Sequence, residues 1–137
     1  MISAPYPCLW TAHDAAAMAD FYCKLIPNSR VVNDTPASIE LLLAGQPLLL
    51  LKHGRSEGLS EAFSLVLLCD TQAEIDHLWA ALTHDGSESR CGWCTDRYGL
   101  NWQIVPRGLS DWLQDADVLQ RMLTMQKLDI DRLLHGD

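Results

Sequence analysis

The run from Pro7 to Ala12 is strand-like, and from Asp14 the apolar spacing lengthens to that of a helix, with Met18, Phe21, Tyr22 and Leu25 on one side. Asp14 suits the helix start because its carboxylate can accept from the free amides of the first turn, and Pro27 and Asn28 end the helix. Strand chemistry then returns at Arg30 to Asn33, Ser38 to Leu43 and Pro47 to Lys52, punctuated by Asp34, Pro36 and the Gly45-Gln46 turn. A second strand-like run, Phe63 to Cys69, leads to Thr71 and Glu74, which form a T-x-x-E capping box. The helix this box starts carries Ile75, Leu78, Trp79 and Leu82, with Gly86 as its predicted stop. Weaker strands follow at Ser87 to Cys91, at Gly92 to Thr95, and at Leu100 to Val105 after the Tyr98-Gly99 turn.

These segments repeat. A shift of about 57 residues superposes Asp14 on Thr71, Met18 on Ile75, Phe21 on Leu78, Tyr22 on Trp79 and Leu25 on Leu82. Each unit reads βαβββ, and neither can bury both faces of its sheet alone. The expectation is an α+β chain with two curled mixed sheets side by side, each with its helix on the convex face and a concave binding surface between them. The predicted boundaries within one domain, 1–137, are about 4–54 for module one, about 61–107 for module two and about 108–137 for a helical tail. In the tail, Ser110, Asp115 and Asp129 are cap candidates, and Val118, Leu119, Met122, Leu123 and Met125 form a stripe that reads as packing surface against the body or a second subunit.

Composition narrows the partners. With 48% hydrophobic and 20% charged residues the chain can bury a core, and a net charge of −8 gives no general attraction to a phosphate backbone or an anionic membrane. Neither nucleic acid nor membrane is an expected partner. The N-terminus lacks the basic flank and apolar run of a secretory signal, and the apolar stretch Leu41 to Leu51 is too short and interrupted to span a bilayer. Five scattered cysteines, an odd number, read as free thiols in a reducing compartment, so the expected location is the cytoplasm.

The stretches CLWTAHDAAAMADFYCKLIPNSR, TQAEIDHLWAAL, CGWCTDRYGLNWQIVP and RMLTMQKLDIDRL resemble the PhnB-like branch of the vicinal oxygen chelate superfamily. That superfamily includes glyoxalase I, extradiol dioxygenases and fosfomycin-resistance proteins, and the branch often carries the label 3-demethylubiquinone-9 3-methyltransferase. The resemblance implies a glyoxalase-like fold and a homodimer. In metal-dependent members, His or Glu on the first and last strands of both modules hold a divalent cation, because a chelated substrate needs an open octahedral site. Here those positions fall near Pro7 and at Ser64 on the first strands, and near Leu48 or Leu49 and at Gln103 on the last. Gln103 offers only a neutral carbonyl oxygen where a metal-binding relative would have Glu, so no cofactor is expected and a divalent metal is disfavoured. Methyl transfer has no sequence support either, since no glycine-rich nucleotide-binding turn occurs.

Strand alternation supplies the candidate site. Asn101, Gln103 and Val105 should share the cup face of the last strand, with Ser64, Val66 and Leu68 inward in module two. Carried back by the repeat, the same parity sends Pro7, Leu9 and Thr11 inward and Trp10 toward the helix. The ligand-binding candidates are therefore Gln103, Asn101, Ser64 and Thr11, with Trp93, which either walls the cup or only packs, and His53, which ends the strand bordering the first cup. Asp96 and Arg97 read as solvated turn residues. Cys91-Gly92-Trp93-Cys94 has redox or zinc spacing, but it lies among strands rather than at a helix start and lacks a second ligand pair. No two histidines form an i, i+4 metal pair, and no catalytic residue is identified. The functional expectation is a small-molecule binder of unread activity without a firmly held metal. The alternatives are a metal-dependent lyase, isomerase or dioxygenase of the same superfamily, and a non-catalytic sequestering protein.

Overall fold

In the computed structural model, which describes residues 1–55 and 58–137, strands and helices follow the order the repeat predicts. The first compact unit, Met1–Gly58, holds β1 (Cys8–Trp10), α1 (Ala15–Leu25), β2 (Arg30–Asp34), β3 (Ser38–Leu43) and β4 (Gln46–Leu51). Its sheet runs β1-β4-β3-β2, with β1 parallel to β4 and the remaining pairs antiparallel. Asp14 caps α1 as predicted, its Oδ1 accepting from the amides of Ala16 at 3.0 Å and Ala17 at 3.3 Å. Helix α1 buries Ala15, Met18, Ala19 and Tyr22 above a sheet face of Leu9, Ile39, Leu41, Leu43, Leu48 and Leu50. Each such aliphatic side chain contributes about 1.5–3 kcal/mol when fully removed from water, so this layer holds the unit together. The β3–β4 hairpin turns on Ala44 and Gly45, both at positive φ (49° and 89°), the backbone twist that two-residue hairpins prefer.

The second unit, Leu59–Asp137, repeats the plan with β5 (Ser64–Cys69), α2 (Gln72–Thr83), β6 (Ser87–Glu88), β7 (Trp93–Thr95) and β8 (Asn101–Pro106) in the order β5-β8-β7-β6. The capping box is present: Thr71 Oγ1 accepts from the Glu74 amide, and Glu74 Oε1 accepts from the amides of Thr71 and Asp70, both at 2.9 Å. Ile75, Trp79 and Leu82 are buried on α2, and Cys69, Cys94, Trp102 and Ile104 on its sheet. The α+β class, with two four-stranded mixed sheets, is therefore as expected.

Two local expectations change. Asp85, at φ 59°, takes the left-handed position after α2, and Gly86 is needed for a different reason: a Cβ there would sit 2.1 Å from the Thr95 carbonyl oxygen. Cys91 and Gly92 are not strand residues but the two left-handed positions of a turn (φ 58° and 84°), closed by the Trp93 amide donating to the Arg90 carbonyl.

The tail forms three short helices, α3 (Leu109–Trp112), α4 (Ala116–Met122) and α5 (Ile130–His135). Asp115 and Asp129 cap the last two, whereas Ser110 lies inside α3, whose cap position is Gly108. Leu109, Val118, Met125, Leu128 and Leu133 bury themselves with Val105 of β8, so the tail packs on its own unit. Of the predicted stripe, Leu119 and Leu123 point to solvent instead. Hydrogen bonds fix the seam: the amides of Cys91 and Gly92 donate to the carbonyls of Met125 and Gln126, and the Gln72 amide clasps the backbone of Leu128 and Ile130. Among the described residues no helix is long and apolar enough to cross a membrane.

Candidate functional site

In the second unit, helix α2 covers the sheet face carrying Trp102 and Ile104, and alternation puts Ser64, Val66, Leu68, Asn101, Gln103, Trp93 and Thr95 on the other. Register aligns Val66, Gln103 and Trp93 in one row, with Ser64, Asn101 and Thr95 in the next. The first row is apolar around a central amide. Val66 and Leu68 are each 51% exposed, a high value for apolar side chains in mid-strand, while Trp93 and Gln103 are half-buried. The second row is polar, bonded within itself and to the first: Thr95 Oγ1 donates to Asn101 Oδ1 at 2.6 Å, and Gln103 Nε2 of the first row donates to Ser64 Oγ at 3.0 Å. Holding Nε2 on Ser64 fixes the amide plane and leaves the Gln103 carbonyl oxygen as the acceptor available on this face. Val105 shares the parity of Gln103, but the tail cluster buries it while its register partner Leu68 stays exposed.

The first unit departs from the predicted parity. Thr11 is 6% exposed and its hydroxyl donates to Met18 Sδ at 3.1 Å, so it lies under α1 with Leu9. Trp10, 53% exposed, stands on the open face, its indole N–H donating to the Lys52 carbonyl. The reason is the connection between strand and helix: the last buried residue of the first strand run, Thr11, lies three positions before its helix cap Asp14, whereas Cys69 lies two positions before its cap Thr71. A fixed shift from the helices therefore cannot be carried into the strands, where a one-residue offset exchanges the faces. Thr11 is thus withdrawn from the open face and Trp10 replaces it. His53 is exposed just beyond β4, at φ 62°, with its ring nitrogen 3.3 Å from the Pro36 carbonyl, outside the sheet face proper.

A residue the sequence reading passed over joins this surface. Glu40 alternates with buried Ile39 and Leu41 and so stands half-buried on the open face, opposite Leu49 on β4 and Asn33 on β2. The alternation of S-I-E-L-L-L held the signal.

Asp96 corrects another expectation. It is not solvated but 3% exposed, with Oδ1 accepting from the amides of Tyr98 and Leu100 and Oδ2 from the Trp102 indole at 2.9 Å. The carboxylate is the internal frame of the β7–β8 turn, and Arg97 beside it is half-buried. The cysteines are all free. Burial, reinforced by Asp96 and Glu88, pushes the Cys94 thiol up to about 12, the reverse of a reactive thiolate. Cys69 is likewise pushed up to about 11, first by burial and then by Glu74 and Asp70.

The donor set does not fit a divalent cation. The last-strand positions on the open faces are Leu49 and Gln103, the latter with its nitrogen committed to Ser64, and the first strands offer Cys8, Trp10, Ser64 and Val66. Among the described residues no three His, Cys, Asp or Glu side chains are grouped so as to hold a metal. These strand positions carry no carboxylate or imidazole, and Glu40 beside Leu49 belongs to no metal-holding group among the described residues, so the donors cannot compete with water for a hard or borderline ion.

Solved structures share the fold. A PhnB protein from Bacillus cereus superposes with a TM-score of 0.68 at 23% identity, over 75% of this chain and 99% of its own. A glyoxalase/bleomycin resistance protein/dioxygenase family enzyme from Burkholderia phytofirmans gives 0.57 at 16% identity over 72% and 94%. The fosfomycin resistance protein FosX from Listeria monocytogenes, complexed with Mn(II) and sulfate, gives 0.59 at 10% identity over 81% and 99%. No curated protein matches. The family model described as 3-demethylubiquinone-9 3-methyltransferase matches residues 3–105, most of the chain and both βαβββ units, and ends where the helical tail begins. The chain belongs to that family, and it shares the fold of the PhnB and glyoxalase/bleomycin resistance/dioxygenase structures.

Proposed function

We propose that the protein binds a small organic molecule on the open face of its second sheet, without a firmly held metal. The observation that carries this reading is the Val66–Gln103–Trp93 row: an indole and an exposed aliphatic side chain flank one amide whose nitrogen is committed to Ser64, which leaves its carbonyl oxygen as an acceptor. Small-molecule sites combine mostly apolar walls with a few fixed polar groups in this way. A ligand with a flat apolar body and a hydrogen-bond donor, a hydroxyl or an amine, suits the surface. On the first sheet, Trp10 and Glu40 form a second open face of similar character, with a carboxylate in place of the amide. The protein acts as a homodimer in the cytoplasm, a reading supported by its exposed apolar rows and its five free thiols.

The test is native mass spectrometry of the untagged protein purified without detergent, followed by denaturation and identification of released compounds. An organic ligand retained by the wild type and lost from both Gln103→Ala and Trp93→Ala is the expected result. Retention by both variants would remove the second sheet from the site.

A further inference from the structure

The tail carries a feature that the family match does not reach. Helices α4 and α5 border a cleft of about 350 Å³ lined by Arg121, Thr124, Arg132, Gly136 and Asp137, among others. Arg121 is half-buried, and its Nη1 donates to the Leu133 carbonyl at 3.0 Å, which fixes the plane of the guanidinium. The opposite edge, Nε with Nη2, lies beside Gly136, where a Cβ would stand 3.4 Å from Nε and 3.6 Å from Nη2. That pair of nitrogens is the fork that binds two oxygens of a carboxylate or phosphate at once. Glycine at position 136, at φ 78°, places no side chain against the fork. Across the cleft, Arg132 Nε donates to the Asp137 carboxylate at 2.6 Å, so the second guanidinium already holds an oxyanion supplied by the chain.

We propose that this cleft binds a small oxyanion, a carboxylate or phosphate group, on the Nε–Nη2 edge of Arg121. Asp137 is its internal competitor on Arg132. In a chain of net charge −8, the side chains lining this cleft carry two guanidiniums against the single carboxylate of Asp137, which leaves the Arg121 charge without a compensating carboxylate in the lining. This site is separate from the sheet face proposed above, so either can fail without the other.

The experiment follows the arginine Nε–Hε and Gly136 amide signals by NMR. The full chain is titrated separately with acetate and inorganic phosphate, against sodium chloride at matched ionic strength. Saturable shifts with either oxyanion and none with chloride are expected, and the tighter of the two identifies the ligand chemistry. Arg121→Gln should weaken binding by about tenfold or more, the weight of a charge-assisted hydrogen bond. Because that change also removes the Leu133 contact, Asp137→Asn provides an independent arm that leaves the helix packing intact. Freeing Arg132 should tighten binding about two- to fivefold, the weight of an exposed ion pair. Shifts that chloride reproduces, an Arg121→Gln variant that binds like the wild type, or no gain in Asp137→Asn would each overturn the proposal.

Discussion

Replacing Asp96 with asparagine keeps the shape of the β7–β8 turn while reversing one hydrogen bond. The Asn carbonyl can stay on the amides of Tyr98 and Leu100, which places its NH2 against the Trp102 indole N–H, donor to donor. A buried donor deprived of its acceptor costs about 1–3 kcal/mol, so Asp96→Asn should destabilise by about 2 kcal/mol. Asp96→Ala strands all three donors and should cost about 3–5 kcal/mol, at the severe end of single substitutions. In urea, with a slope of about 2 kcal/mol per molar for a chain of this size, the first variant should lower the unfolding midpoint by about 1 M. A double-mutant cycle with Trp102→Phe isolates the indole–carboxylate bond and should give a coupling of about 1.5 kcal/mol or more, since the acceptor is charged. An unchanged midpoint for Asp96→Asn, or strictly additive effects in the cycle, would refute the role assigned to this carboxylate.

Three further outcomes follow from burial and close approach. Gly86→Ala forces a methyl group into the Thr95 carbonyl and should cost about 1–3 kcal/mol, read by thermal or urea unfolding. Leu128→Ala empties a fully buried site against Gly92 and should cost about 2–5 kcal/mol, with loss of amide-exchange protection first at Cys91 and Gly92. Because Cys94 ionises near 12 when folded rather than at its ordinary 9.0, its contribution is complete below pH 9 and is lost as pH rises toward 12. The melting temperature should therefore fall over that alkaline range, and less steeply in Cys94→Ala.

Local chemistry made much of the fold readable. Asp14, the Thr71–Glu74 box, Asp115 and Asp129 each announce a helix because a side chain must satisfy its first free amides, and all four do so. The aliphatic rows of β3, β4 and β8 mark strands by composition. Features set by three-dimensional approach were not readable. Thr11 was assigned to the wrong face because parity depends on the length of a connection, which a repeat aligned on helices does not measure. Asp96 passes for a solvated turn residue until Trp102 and Leu100 are folded over it. The Cys91-Gly92 turn hides inside a weak strand pattern, since a cysteine at positive φ runs against its residue type. The candidate site is half legible: Gln103 and Ser64 follow from alternation on β8 and β5 and Glu40 from alternation on β3, whereas Trp10 needs the true register of the first sheet.

The identity of position 103 separates an organic-ligand surface from a metal centre, and calorimetric titration of Mn(II) and Zn(II) into the metal-stripped wild type and Gln103→Glu tests that distinction. The wild type should give no saturable heat, and Gln103→Glu, with a carboxylate on the same face, should gain measurable affinity. A wild-type isotherm saturating near one ion per chain, with micromolar or tighter affinity, would contradict the metal-free reading and show that other side chains complete a metal site.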